Sequence, residues 1–120
     1  MAAAAAVEVL GGTPRQASHA VAIALKNMLG LVCDPVAGLV EVPCVKRNAA
    51  GTAQCFVATD LALAGVESFI PADEVIDAMQ RIGSRMDESL RETALGGLAA
   101  TPTAKEFSTR FMKKPKTSTH

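Results

Sequence analysis

Between Leu31 and Cys44 the chain reads LVCDPVAGLVEVPC, an apolar run broken by Pro35, Gly38 and Pro43. Proline lacks a backbone N–H and steers the residue before it out of helical geometry, so Asp34 and Val42 are pushed to extended backbone. A continuous helix through this segment is therefore excluded. The segment is still too apolar to lie wholly in water, so it reads as an irregular, largely buried loop, with a brief extended piece expected at Leu39–Val42. A buried loop must satisfy its own backbone polar groups, and such a loop needs a functional reason to exist.

The flanking stretches read as helix. Apolar residues make up 49% of the chain, with no Trp, no Tyr and four Phe. That excludes disorder by composition and leaves too few aromatic and β-branched runs for a sandwich or barrel. A core of Ala, Val, Leu and Met favours helices packed closely through small side chains. Residues 2–10 form an alanine-rich helix stopped by Gly11-Gly12. Thr13, Pro14 and Gln16 have the order of a capping box with proline at the first helical position, opening a helix that runs to Gly30. Its stripe is Val21, Leu25, Met28 and Leu29. A third helix is expected over residues 45–64, stopped by Gly65. A fourth opens at Pro71 with Asp73 and Glu74 in its first turn, and its stripe is Val75, Met79, Ile82 and Met86. Asp87 caps a short helix ended by Gly96-Gly97. The expected fold is all-α: one helical domain with an irregular Pro/Gly-containing cysteine loop between helices. With 120 residues the chain is bounded to one domain of modest core.

Net charge is zero, so nothing in the whole chain argues for nucleic acid or an acidic membrane as partner. No stretch reaches the roughly 18 apolar residues a membrane span requires. From Lys105 onward five bases (Lys105, Arg110, Lys113, Lys114, Lys116) face the single acid Glu106, and residues 105–120 read as a basic, frayed, disordered tail. The alanine-rich start lacks the basic region and long apolar core of a secretory signal. Three cysteines without such a signal imply reduced thiols in a cytoplasmic setting.

Cys33, Cys44 and Cys55 are spaced eleven apart. In one helix that spacing would align them, but the two prolines rule out one helix, so the regularity says nothing about Cys55. Cys33 and Cys44 bracket the loop, each beside a proline motif, Cys33-Asp34-Pro35 and Pro43-Cys44. Such a loop can hold two thiolates together, and iron–sulfur clusters are held by thiolates. Spacing alone, without a CxxC, leaves three readings open: metal ligation, buried inert cysteines, or a reactive thiol. His19 is either a packed histidine within an apolar helix or a base. Arg47 and Asn48 either bind a carboxylate or cluster sulfur, or serve capping and surface contacts. Asp34 suits an Asx-type turn before Pro35. No catalytic acid or base is assigned.

The segment GLVCDPVAGLVEVPCVKRNAAG, residues 30–51, resembles the cluster loop of the iron–sulfur-dependent L-serine dehydratases. The preceding AAAAAVEVLGGTPRQASHAVAIALKNMLG and the later IPADEVIDAMQRIG and RETALGGLAATPT are also similar to that family, so the resemblance covers residues 2–104. It implies that residues 1–104 are the C-terminal part of a dehydratase alpha domain. It further implies a 4Fe-4S cluster for which Cys33 and Cys44 supply two ligands. The third ligand is implied in a Gly-Cys-Gln-type segment upstream of the residues present here. Cys55 falls outside the implied ligand set and is expected on the helix after the loop, as a buried neutral thiol among small residues. Three thiolates on four irons leave one iron free as Lewis acid for the hydroxyl of L-serine, which becomes pyruvate and ammonia. The implied partners are L-serine and the remaining dehydratase, meaning the N-terminal alpha portion and a beta domain or subunit. The rival reading is a non-enzymatic helical assembly module. A thiol redox sensor ranks behind both.

Overall fold

The computed structural model describes residues 1–113, in which five α-helices are joined by turns and no strand forms. The helices are α1 (Ala2–Val9), α2 (Pro14–Lys26), α3 (Cys44–Leu63), α4 (Ala72–Arg85) and α5 (Pro102–Lys113), with short 3-10 turns at Glu88–Leu90 and Gly97–Ala100. The fold is all-α, as the sequence implies. Two compact units can be separated. One holds Met1–Leu31 and Asn48–Met86; the other holds Val32–Arg47 and the described residues from Asp87 onward.

In the first unit, helix starts follow local chemistry. The Thr13 hydroxyl accepts from the Gln16 N–H at 3.2 Å while the Gln16 side chain accepts from the Thr13 N–H at 2.9 Å, closing the capping box around Pro14. Pro71 caps α4, whose first turn carries Asp73 and Glu74. The core is made of small residues: Ala3, Val7, Ala20, Ile23, Ala24, Ala58 and Ala62, with Cys55 and Leu63 packed against them. Alanine lets α1, α2 and α3 approach closely, and a larger side chain there would overpack the contact. Gly12 serves the same closeness, since a Cβ there would lie 2.8 Å from Leu63. The buried Thr59 hydroxyl lies 2.8 Å from the Cys55 carbonyl and 3.3 Å from the Ala3 carbonyl.

Several expectations shift by a residue or a turn. Helix α2 ends at Lys26, a turn before Gly30. Its buried residues are Ala20, Ala22, Ile23 and Ala24, with Val21 and Leu25 only half-buried. On α4 Val75 is buried, Met79 and Met86 are half-buried and Ile82 is exposed. His19 is placed by structure: its Nδ1 accepts the Ser68 N–H at 3.1 Å. That bond puts the proton of the neutral ring on Nε2 and leaves Nδ1 no lone pair for a substrate proton.

In the second unit the expected frayed tail is helix up to Lys113, because Pro102 and the hydroxyl of Thr101 start α5 and Phe107 stacks on Phe111 one turn later. The last seven residues, 114–120, lie outside the described part. Among the described residues no helix is long and apolar enough to cross a membrane.

Candidate functional site: the cysteine loop

The loop between Val32 and Cys44 is held by its own backbone. The Cys33 N–H donates to the Leu90 carbonyl at 2.9 Å, and the Cys33 carbonyl accepts from Glu92 N–H at 2.7 Å. Cys33 is thus pinned on both sides to the segment around Arg91. Further along, Val36 N–H donates to the Val42 carbonyl at 2.9 Å, Val45 N–H to Val40 at 3.0 Å and Arg47 N–H to Pro43 at 3.1 Å. Residues 40–43 form turns, so the extended piece expected at Leu39–Val42 is absent; one bridge pairs Val36 with Leu39. The Val42–Pro43 peptide is cis. Pro43 leads directly into α3, and Cys44 is the first residue of that helix.

This folding brings Cys33 and Cys44 near enough for the Cys44 side chain to act on the Cys33 thiol. Both are free thiols and both are partly exposed. Burial, then the negative charge of Glu92, then Cys44 itself push the Cys33 thiol up from its usual range. A thiol held protonated is a poor nucleophile, which argues against the reactive-thiol reading. A cation reverses the balance, because it displaces the thiol protons and is attracted by the same negative neighbours. The donor pair therefore fits a thiophilic metal or a cluster edge. Cys55 is not part of it, since it packs on the alanine core of the first unit. Among the described residues no group of three His, Cys, Asp or Glu is assembled to hold a metal. The site as built has two thiols.

Beside Cys33 lies a feature that sequence reasoning missed. Asp34 is 1% exposed and forms an ion pair with Arg47 Nη1. Its second carboxylate oxygen accepts the Leu98 N–H at 2.6 Å. Arg47 Nη1 also donates to the Val32 carbonyl at 2.9 Å. So Asp34 is a buried carboxylate rather than a turn former, and Arg47 is turned toward it and the chain around Cys33. Asn48 is exposed on α3. The Gly96-Gly97 pair supplies the receiving surface. Gly97 has φ 58°, and a Cβ there would lie 2.8 Å from the Asp34 Cβ. Only the glycine pair hinted at this in the sequence.

Two outcomes follow from this packing. Gly97→Ala adds left-handed strain of about 1–2 kcal/mol and a clash with Asp34, for a total expected loss of about 2–4 kcal/mol in denaturant unfolding. The second concerns acid. Burial alone would raise the Asp34 carboxyl, but the Leu98 N–H and Arg47 outweigh it and hold it below the ordinary aspartate range. A depressed carboxyl contributes stability above its unfolded value and loses it as pH falls. Stability should therefore decline as pH drops below about 4, and Asp34→Asn should flatten that acid limb in unfolding measured against pH.

In the same unit, Val36, Leu39, Val42, Leu98, Ala104 and Phe107 line most of a cavity of about 490 Å³. Its walls are nearly all apolar, which does not suit a small zwitterion needing charged or polar partners.

Comparison with known proteins places the chain. The family described as serine dehydratase alpha chain matches residues 1–99. The chain is 68% identical over 107 residues to the "Probable L-serine dehydratase, alpha chain" of Bacillus subtilis (strain 168), covering 89% of this chain and 36% of that protein. It is 65% identical over 103 residues to the protein of the same name from Latilactobacillus sakei, covering 86% and 49%. It is 57% identical over 114 residues to the "L-serine dehydratase, alpha chain" of Peptoniphilus asaccharolyticus, covering 95% and 39%. The chain thus spans less than half the length of each of these relatives.

Proposed function

Because the chain belongs to the serine dehydratase alpha chain family, we propose that it forms the thiol-bearing part of an L-serine dehydratase, in which Cys33 and Cys44 are two of the protein ligands of a 4Fe-4S cluster. The observation that carries this reading is the approach of Cys33 and Cys44 on a loop pinned by backbone hydrogen bonds at Cys33, Val36 and Leu39. The family relationship supplies the reaction: L-serine loses water, and the resulting enamine tautomerises to an imine that hydrolyses to pyruvate and ammonia.

The parts of that chemistry divide cleanly. A bound cluster with one iron free of protein ligands supplies a Lewis acid for the departing hydroxyl. This chain's own residues hold and orient. Cys33 and Cys44 would bind the cluster, Leu90 and Glu92 fix the Cys33 backbone, and Asp34 with Arg47 joins the two arms of the loop. Removing the proton from the carbon that bears the amine needs a base. His19 does not suit that role, because its Nδ1 is committed to Ser68. The base and the third thiolate are assigned to the dehydratase portions that this chain does not span, and those portions are its partners. The setting is cytoplasmic, consistent with three free thiols.

Pyruvate release from L-serine by an assembly containing this chain tests the proposal. Turnover is expected when the complementary portion is present and the cluster is built anaerobically. A folded assembly that carries a cluster yet leaves serine untouched would contradict it.

A further inference from the structure

Asp34 and Arg47 flank the two thiols in a way that the reaction itself does not require. Asp34 follows Cys33 directly, and Arg47 lies three residues past Cys44, about one turn into α3. One guanidinium nitrogen reaches both the Asp34 carboxylate and the Val32 carbonyl, so it grips the chain on each side of Cys33. The other Asp34 oxygen is fixed by Leu98 N–H at 2.6 Å, where Gly97 leaves room for it. The arm bearing Cys33 and the arm bearing Cys44 are therefore tied by a charge pair whose acid is 1% exposed.

We infer that Asp34 and Arg47 are positioning residues that hold Cys33 and Cys44 as a preformed chelating pair, so that the loop is set for a metal before any metal arrives. The inference rests on the assignment of these cysteines as ligands. Its physical basis is general. Two groups held in contact act on a common partner with a far higher effective concentration than two groups on a loose loop, because the ordering has already been done by the fold. A buried ion pair of this kind is specific: its geometry survives only while both partners and the Leu98 donor stay in place. A neutral side chain cannot replace Arg47, since it offers neither the charge that pairs with Asp34 nor the N–H groups that reach carboxylate and carbonyl together.

The test reads thiol pairing directly and needs no activity. The full chain carrying Cys55→Ala is equilibrated in glutathione redox buffers, and the Cys33–Cys44 disulfide fraction gives the effective concentration of the pair. A trivalent monoaryl arsenical, which binds two thiolates at once, gives a second reading. Asp34→Asn and Arg47→Met are each expected to lower the effective concentration and the arsenical affinity at least about tenfold, at temperatures where helical circular dichroism is unchanged. A purely structural role would lower the unfolding midpoint and leave pairing in the folded protein intact, and that result overturns the inference. Unfolding of both variants even in the cold would overturn it too, because the pair would then serve the fold rather than the thiols. If pairing depends on Asp34 and Arg47 while Cys33→Ala leaves the assembled enzyme active, the ligand assignment fails and the positioning of the thiols stands. If pairing is indifferent to both residues while serine turnover still requires the cysteines, the positioning role alone fails.

Discussion

Cys33→Ala and Cys44→Ala, each introduced into an assembly that turns over serine, are expected to lower pyruvate formation by at least about 100-fold, since even residues that only orient metal ligands are worth 10–100-fold. Both cysteines lie near one another on a loop pinned by backbone bonds, and no other cysteine belongs to that loop. Among the described residues the third cysteine is packed on the alanine core of the first unit. Cys55→Ala should accordingly leave activity within about twofold and cost about 1 kcal/mol of stability or less, the loss expected for removing one small half-buried group. A Cys55→Ala variant that loses activity as fully as Cys33→Ala would mean that the ligands are wrongly assigned.

The 120-residue chain by itself is expected to form no pyruvate from L-serine, with turnover appearing when a complementary dehydratase portion is added. Two thiolates hold a four-iron cluster loosely, because every iron without a protein ligand is open to water and oxygen. The histidine placed within a helix is engaged by Ser68. Large apolar side chains are also left in water: Phe69 is 97% exposed and Phe56 62%. Exposed apolar side chains of this size favour self-association when nothing covers them. The assay compares pyruvate formation by the anaerobically reconstituted chain alone and with the complement, alongside its sedimentation. Robust turnover by the isolated chain would force Cys55 or an oxygen or nitrogen ligand into the cluster.

The helix starts were legible because caps are local. Thr13, Pro14 and Gln16 lie within four residues, as do Pro71, Asp73 and Glu74. The buried face of α2 was harder to read, since a stripe drawn through the larger residues Val21 and Leu25 passes beside the alanines that actually meet α1 and α3. Closeness of backbone, not side-chain size, decides burial there. Ile82 on α4 has the right period and still faces solvent. The basic charges of residues 105–113 read as a tail because charge patterns are local, whereas the stacking of Phe107 on Phe111 appears only once the helix exists. At the site, Cys33 and Cys44 could be picked out because the prolines beside them exclude a helix. How Cys33 is held depends on its pairings with residues 90–92, far along the chain. Asp34 was legible as a residue but not as a buried charge. Its partners, Arg47 and the Leu98 N–H, lie 13 and 64 residues away, and nothing in local sequence joins them.

Whether Cys33 and Cys44, rather than Cys55, hold a metal centre can be read from one spectrum. The most direct measurement is the visible absorption of the assembled protein after anaerobic treatment with iron and sulfide. A broad brown band is expected in the unsubstituted protein and in Cys55→Ala, and its loss in Cys33→Ala and in Cys44→Ala. A band that survives either of those two substitutions at full strength, or one that disappears with Cys55→Ala alone, would contradict it.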